Sequence, residues 1–268
     1  MLSIFRFALV ALLLSCVVAP AGEEWAKARL EKSPRHGEWV KIQQGKREIQ
    51  AFVVYPEVKD KAMAVVVIHE IFGLSDWVRS TADELAEAGF IAIAPDLLSG
   101  MAEGGGGTDK MGGGDAVRKA IQSLPPDQVT ADLNACAEYV GKLPSCNGKV
   151  AVGGFCWGGG QSFRFATNNS TIKAAGVFYG SGPENAADIA KIACPVYGFY
   201  GGNDNRVGAT VPKSVELMKA AGKTYEPITY EGAGHGFMRA GEAPDASAPN
   251  KKARDEAFTR FVEVLKKV

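Results

Sequence analysis

The chain has 268 residues, 46% of them hydrophobic, and its 30 basic and 30 acidic side chains cancel to a formal net charge of +0. That length and apolar content suit one α/β domain with a sizeable core. The even charge, with no dense basic run, argues against a nucleic-acid partner. No Cys-x-x-Cys and no His-Cys cluster at zinc spacing is present, so neither a metal nor a cofactor is expected.

In chain order, the N-terminus reads as targeting rather than fold. Arg6 precedes the apolar run Phe7–Leu14, which is too short to span a bilayer, and Ala19-Pro20-Ala21 fits a small-x-small cleavage site. The reading is a signal peptide over residues 1–21 and one globular domain over 22–268. The second reading is lipoprotein processing, with Cys16 lipidated after Leu13-Leu14-Ser15, although Leu14 fits that pattern poorly. Both readings export the protein, periplasmic or secreted, without a stable membrane span.

Gly37–Lys46 and Glu48–Pro56 read as antiparallel strands, and Ala62–His69 as the first fully buried strand. Ser75–Ala88 is an amphipathic helix closed by Gly89, and Phe90–Ala94 is the next strand. Helices are expected at Asp115–Ser123 and, behind Pro125-Pro126, at Asp127–Gly141. Val150–Gly153, Ala174–Tyr179, Val196–Tyr200 and Pro227–Tyr230 are strands. Ala186–Ile192, Val211–Ala221 and Asn250–Lys267 are helices. Alternation of this kind implies right-handed crossovers and a mostly parallel sheet with helices on both faces and an antiparallel N-terminal edge. The runs Gly104–Gly107 and Gly112–Gly114 lack the lysine of a phosphate loop and do not directly follow a strand. They read as a flexible loop near the pocket, able to act as a lid.

Cys136 falls on a helix and Cys146 in the loop after it, so the pair could approach closely enough for a disulfide. Cys194 reads as a small buried residue. Cys156 is different. It stands in Gly154-Phe155-Cys156-Trp157-Gly158, between a strand and a helix, a nucleophile elbow with cysteine in place of serine. The helix N-terminus behind it favours a thiolate. A glycine-rich turn holding a structural cysteine is the bland alternative.

Residues further along the chain decide between these. In an α/β-hydrolase fold the nucleophile is succeeded by an acid and then a histidine. Asp204 ends the Gly-rich loop after the Val196–Tyr200 strand, and His235 sits between glycines after Pro227–Tyr230. Both lie beyond the C-terminal ends of strands, where open α/β sheets gather catalytic groups. His235 is expected to be the general base and Asp204 its orienting acid, with turn formation as the other use of Asp204. Glu70 lies just past a fully apolar strand, where an acid adds nothing to packing. Near a part-buried thiol it would repel thiolate and raise the thiol pKa unless His235 is protonated beside it; the alternative for Glu70 is a strand-end acid exposed to water. The backbone N–H groups of Ile71 and Trp157 are the candidate oxyanion hole.

Together, His69-Glu70-Ile71-Phe72-Gly73, the cysteine elbow, Asp204 and Gly234-His235-Gly236-Phe237 resemble dienelactone hydrolase, also called carboxymethylenebutenolidase. The resemblance implies an α/β-hydrolase fold, a Cys156–His235–Asp204 triad, and a small-molecule ester or lactone substrate. It also implies that Glu70 takes the thiol proton when substrate displaces it toward the cysteine. Arg239, in a His-x-Phe-x-Arg run, matches an arginine that holds a substrate carboxylate. Arg118 is nearest to the family's other arginine; the alternative for Arg118 is a solvated place on an amphipathic helix. The stretch Met101–Asp109 departs from the family in the region that shapes the pocket. Two other classes stand beside the hydrolase: a non-catalytic relative that captures small acidic ligands through Arg239, and a secreted thiol-redox protein.

Overall fold

A computed structural model describes residues 23–268. The expected signal peptide and Cys16 lie outside the described residues. An eight-stranded sheet runs in the order β1-β2-β4-β3-β5-β6-β7-β8. β1 (Gly37–Gln44) and β2 (Arg47–Val54) form the antiparallel edge, and β2 pairs antiparallel with β4 (Ile91–Pro95). From β4 onward every pairing is parallel, through β3 (Ala62–Ile68), β5 (Cys146–Phe155), β6 (Ala175–Phe178), β7 (Val196–Gly201) and β8 (Tyr225–Tyr230).

The continuous apolar run of β3 reflects burial on both faces. Ala64, Val66 and Ile68 join one core cluster, and Met63, Val65 and Val67 the other. The first face is covered by α3 (Gly114–Ser123), α4 (Pro126–Gly141), α5 (Trp157–Asn168), α6 (Ala186–Ile189) and α8 (Val211–Ala220). The second carries α1 (Glu24–Lys32), α2 (Asp76–Glu87) and α10 (Ala248–Leu265). Phe261 of α10 packs straight onto the sheet because β5 and β6 present glycine there: a Cβ at Gly153 or Gly176 would stand 2.8 or 2.5 Å from its ring. Among the described residues no helix is long and apolar enough to cross a membrane.

The strand β5 begins at Cys146, ahead of the expected Val150, with an irregularity in its pairing to β3 where Gly148 turns at φ 82°. The helix α1 has no counterpart among the expected elements. It buries only Ala26 and is held by charge instead. Arg29 pairs with Glu84 of α2 and with Glu242, and both acids also pair with Arg254 of α10. Trp77 Nε1 donates to Glu242 as well (3.2 Å).

The disulfide between Cys136 and Cys146 is not formed, and both residues are free cysteines. Each is packed into the apolar cluster on the α4 face of the sheet, and the Cys146 sulfur instead accepts from the Gly148 N–H at 3.4 Å. The Gly-rich segment, expected near the pocket, does not cover the cavity around Cys156. Thr108 is tied to Asp96 through its N–H (2.7 Å) and its hydroxyl (2.8 Å), and that hydroxyl accepts from the Leu74 N–H (3.1 Å). No residue of Met101–Gly114 lines the cavity that opens around Cys156. The segment instead braces the loop after β3 from behind.

Candidate active site

The elbow is set by backbone geometry. β5 ends at Phe155, α5 starts at Trp157, and Cys156 between them is held at φ 56°, ψ −116°. Left-handed φ at a non-glycine residue costs about 1–3 kcal/mol and persists only where the surroundings enforce it. Here the Cys156 N–H donates to Phe178 O (3.0 Å), and its carbonyl accepts from the Gly160 N–H (3.2 Å). The flanking residues must lack side chains. A Cβ at Gly154 would stand 2.0 Å from Gly158 O, and one at Gly158 would stand 2.4 Å from both Ile68 O and His69 O.

The acid and the histidine come from neighbouring loops stitched to each other. Gly202 N–H donates to Tyr230 O (2.8 Å) and Asn203 N–H to Ala233 O (2.9 Å). Asn250 Oδ1 of α10 accepts from the Gly234 N–H at 2.9 Å. Asp204 is buried and caps the short helix α7 (Asn205–Gly208), accepting from Val207 N–H. Its other oxygen lies 2.5 Å from His235 Nδ1, and His235 Nε2 lies 3.1 Å from Cys156 Sγ. With the Nδ1–H donating to the carboxylate, Nε2 is left to accept the thiol proton.

Glu70 forms the opposite wall. It is buried, accepting at Oε2 from Arg239 Nε (2.9 Å) and at Oε1 from the Tyr179 hydroxyl (3.2 Å). Burial raises the Glu70 carboxyl above the usual carboxylate range, against the pull of Arg239, Tyr179 and His235. Arg239 lies on α9 (Phe237–Ala240), with its guanidinium 4.9 Å from the Phe72 ring centre.

Burial, and secondarily the Glu70 charge, pushes the Cys156 thiol up to about 11. The N–H groups of Trp157 and Ile71 and the charge of Arg206 pull the other way. The helix N-terminus behind Cys156 thus does not produce a resting thiolate; desolvation and a like charge outweigh it. The two N–H groups that act on the sulfur are the pair expected to form an oxyanion hole.

Around Sγ opens a cavity of about 500 Å³ lined by Glu70, Ile71, Cys156, Trp157, His235 and Arg239, together with Tyr179 and Arg206. Nothing in the sequence pattern marks the last two. Tyr179 carries φ 41° just past β6, and its ring stands edge-on to His235 at 5.1 Å. Arg206 comes two residues after the acid, on α7. Arg118 does not line the cavity. It sits on α3, 42% exposed at the side chain and paired with Asp115, as a solvated helix residue would.

The family model for the dienelactone hydrolase family matches residues 49–268. A provisionally named carboxymethylenebutenolidase of Methylorubrum extorquens is 30% identical over 209 residues, covering 74% of this chain and 71% of that protein. A carboxymethylenebutenolidase of Pseudomonas putida is 30% identical over 183 residues, covering 68% of this chain and 77% of that protein. The crystal structure of a provisionally named dienelactone hydrolase from Klebsiella pneumoniae superposes with a TM-score of 0.76 at 24% identity, over 87% of this chain and 99% of that one. That last likeness is one of fold.

Proposed function

Because the chain belongs to the dienelactone hydrolase family and is a hydrolase acting on ester or lactone bonds, we propose that Cys156 is its nucleophile, in a triad with His235 and Asp204. The thiol is protonated at rest and sheds its proton as substrate arrives. Sγ attacks the carbonyl carbon, and the oxyanion accepts from the N–H groups of Ile71 and Trp157. The imidazolium of His235, held by Asp204, protonates the leaving alkoxide, leaving a thioester on Cys156. His235 then takes a proton from water, the hydroxide attacks the thioester, and the acid leaves as the thiol is restored. Ester and lactone oxygens are good enough leaving groups for a sulfur nucleophile; amide nitrogen is a much poorer one.

Glu70 and Arg239 link binding to activation. An acidic group on the substrate competes with Glu70 for Arg239, and a Glu70 carboxylate released toward the sulfur takes the thiol proton and passes it on to His235, which is then the imidazolium that protonates the leaving alkoxide. The sulfur is therefore slow toward a neutral ester and fastest when an anionic ester or lactone enters. We also propose that residues 1–21 are a cleavable leader. Sequencing the exported protein should return Gly22 as the first residue; retention of a lipid on Cys16 would overturn this.

One observation carries the catalytic proposal: the 3.1 Å separation of Cys156 Sγ and His235 Nε2, with Asp204 2.5 Å from the other ring nitrogen. Cys156→Ala should lose essentially all turnover of p-nitrophenyl esters and of a carboxylate-bearing lactone while melting at an unchanged temperature. Retained turnover in the folded variant would end the proposal.

A further inference from the structure

His69 takes no part in the triad chemistry, yet its side chain is completely buried directly behind the candidate oxyanion hole. Its Nδ1 lies 2.8 Å from Glu70 O and its Nε2 lies 3.4 Å from Leu97 N. Leu97 N can only donate, so Nε2 is the acceptor and Nδ1 carries the proton. That proton goes to the carbonyl of the Glu70–Ile71 peptide, and the N–H of the same peptide is the Ile71 N–H that acts on the Cys156 sulfur. A peptide is planar, so holding its carbonyl fixes the direction of its N–H. The imidazole also stacks on Trp157, with ring centres 5.6 Å apart and planes 18° from parallel. Trp157 supplies the other N–H.

We propose that His69 is the positioning residue of the oxyanion hole: through its Nδ1–H it locks the Glu70–Ile71 peptide so that the Ile71 N–H meets the reacting oxygen, and through its ring it braces Trp157. This rests on the reading of Cys156 as nucleophile. A second donor to the Glu70 carbonyl, the Gly73 N–H at 3.2 Å, closes the 70–73 turn; the His69 contact is shorter, at 2.8 Å, and comes from a buried ring packed on Trp157. Donation from His69 also polarises the peptide, which makes its N–H a better donor to an anion.

Removing an oxyanion donor outright costs about 10²–10³ in kcat. Misaiming one should cost roughly tenfold to a hundredfold in kcat with little change in KM, since the ground-state carbonyl uses the hole weakly. Three variants separate this from simple packing. In His69→Asn the side-chain amide N–H falls near the place of Nδ1 and keeps the Glu70 contact. His69→Gln puts its amide near the place of Nε2 and loses that contact. His69→Leu keeps the volume with no donor. For folded variants, the expected result is near-normal kcat for Asn and a fall of roughly ten- to a hundredfold for Gln and Leu. Affinity for an alkyl trifluoromethyl ketone should fall by the same factor. The thiol adds across that carbonyl, its proton passes to His235, and the new oxygen sits in the hole. Inhibition by the product acid should not move.

A Gln or Leu variant with wild-type kcat, or a fall in kcat without the matching fall in ketone affinity, overturns the proposal. Nitrogen-15 NMR of the wild-type protein tests it without any substitution: Nδ1 of His69 should be the protonated nitrogen, and the opposite tautomer refutes it. If the wild type forms no ketone adduct on Cys156, it is the catalytic reading that fails. If the adduct forms and the variants bind the ketone as the wild type does, only the role of His69 fails.

Discussion

Glu70→Gln should make Cys156 more reactive toward a simple alkylating agent and less able to turn over ester. With the thiol at about 11, only about one sulfur in ten thousand is ionised at pH 7. Burial is the larger cause and stays in the variant; the Glu70 charge is the second and is removed. The same substitution leaves Arg239 without its carboxylate partner at 2.9 Å, with only the more distant charge of Glu23 to offset it, so a cation faces the cavity. Both changes favour thiolate, so the thiol pKa must fall. Each unit is about 1.4 kcal/mol and tenfold in thiolate at pH 7, and we expect a fall of one to two units. Iodoacetamide is uncharged and so is not drawn by Arg239; its rate of reaction with Cys156, monitored by intact mass from pH 6 to 10, reads thiolate directly. In the wild type the rate should climb about tenfold per pH unit across that range without levelling. In the variant it should be roughly ten to a hundred times faster at pH 7 and begin to level before pH 10. Ester turnover should drop, because the proposed proton acceptor is gone. An alkylation rate that is unchanged or slower, or a wild-type profile already flat near pH 8, would refute the reasoning.

The same geometry sets three further expectations. Asp204→Asn keeps a good N-cap for α7, so the variant should fold normally, while kcat falls by about 10³–10⁴ as His235 loses its orienting carboxylate; steady-state kinetics beside a melting curve checks both halves. Gly158→Ala places a methyl 2.4 Å from the carbonyl oxygens of Ile68 and His69, backbone atoms that cannot swing aside, so urea unfolding should show a loss of about 1–3 kcal/mol or more. Arg239→Ala should raise KM for a carboxylate-bearing lactone far more than KM for a neutral p-nitrophenyl ester, whereas Arg118→Ala should change neither, since Arg118 is exposed and paired with Asp115.

The parts of the site legible in the sequence are those whose chemistry leaves a local mark. The cysteine elbow can be read because close backbone packing demands glycine at Gly154 and Gly158. Asp204 and His235 can be read because strands of a parallel sheet end on one edge. Tyr179 escapes notice because Ala-Gly-Val-Phe-Tyr continues an apolar strand; nothing local announces that the last residue turns to φ 41° and offers its hydroxyl to Glu70. Arg206 stands just past the acid in what reads as turn chemistry, and only the folding of α7 brings it to the cavity wall. The helix α1 sets only Ala26 and part of Trp25 against the core, so its periodicity is weak; its ion-pair partners Glu84 and Glu242 lie far along the chain. Spacing makes a Cys136–Cys146 bridge conceivable, but spacing does not report which way a sulfur points. The glycine run reads as a lid because glycine is permissive, whereas Thr108 beyond it is pinned by Asp96.

The central claim is a covalent acyl group on one sulfur. Wild-type protein mixed with p-nitrophenyl acetate, quenched in acid within a turnover and mapped by peptide mass, should carry one acetyl on Cys156 and none elsewhere, and Cys156→Ala should carry none. An acetyl on another residue of an active enzyme, or turnover by the alanine variant, would contradict the account.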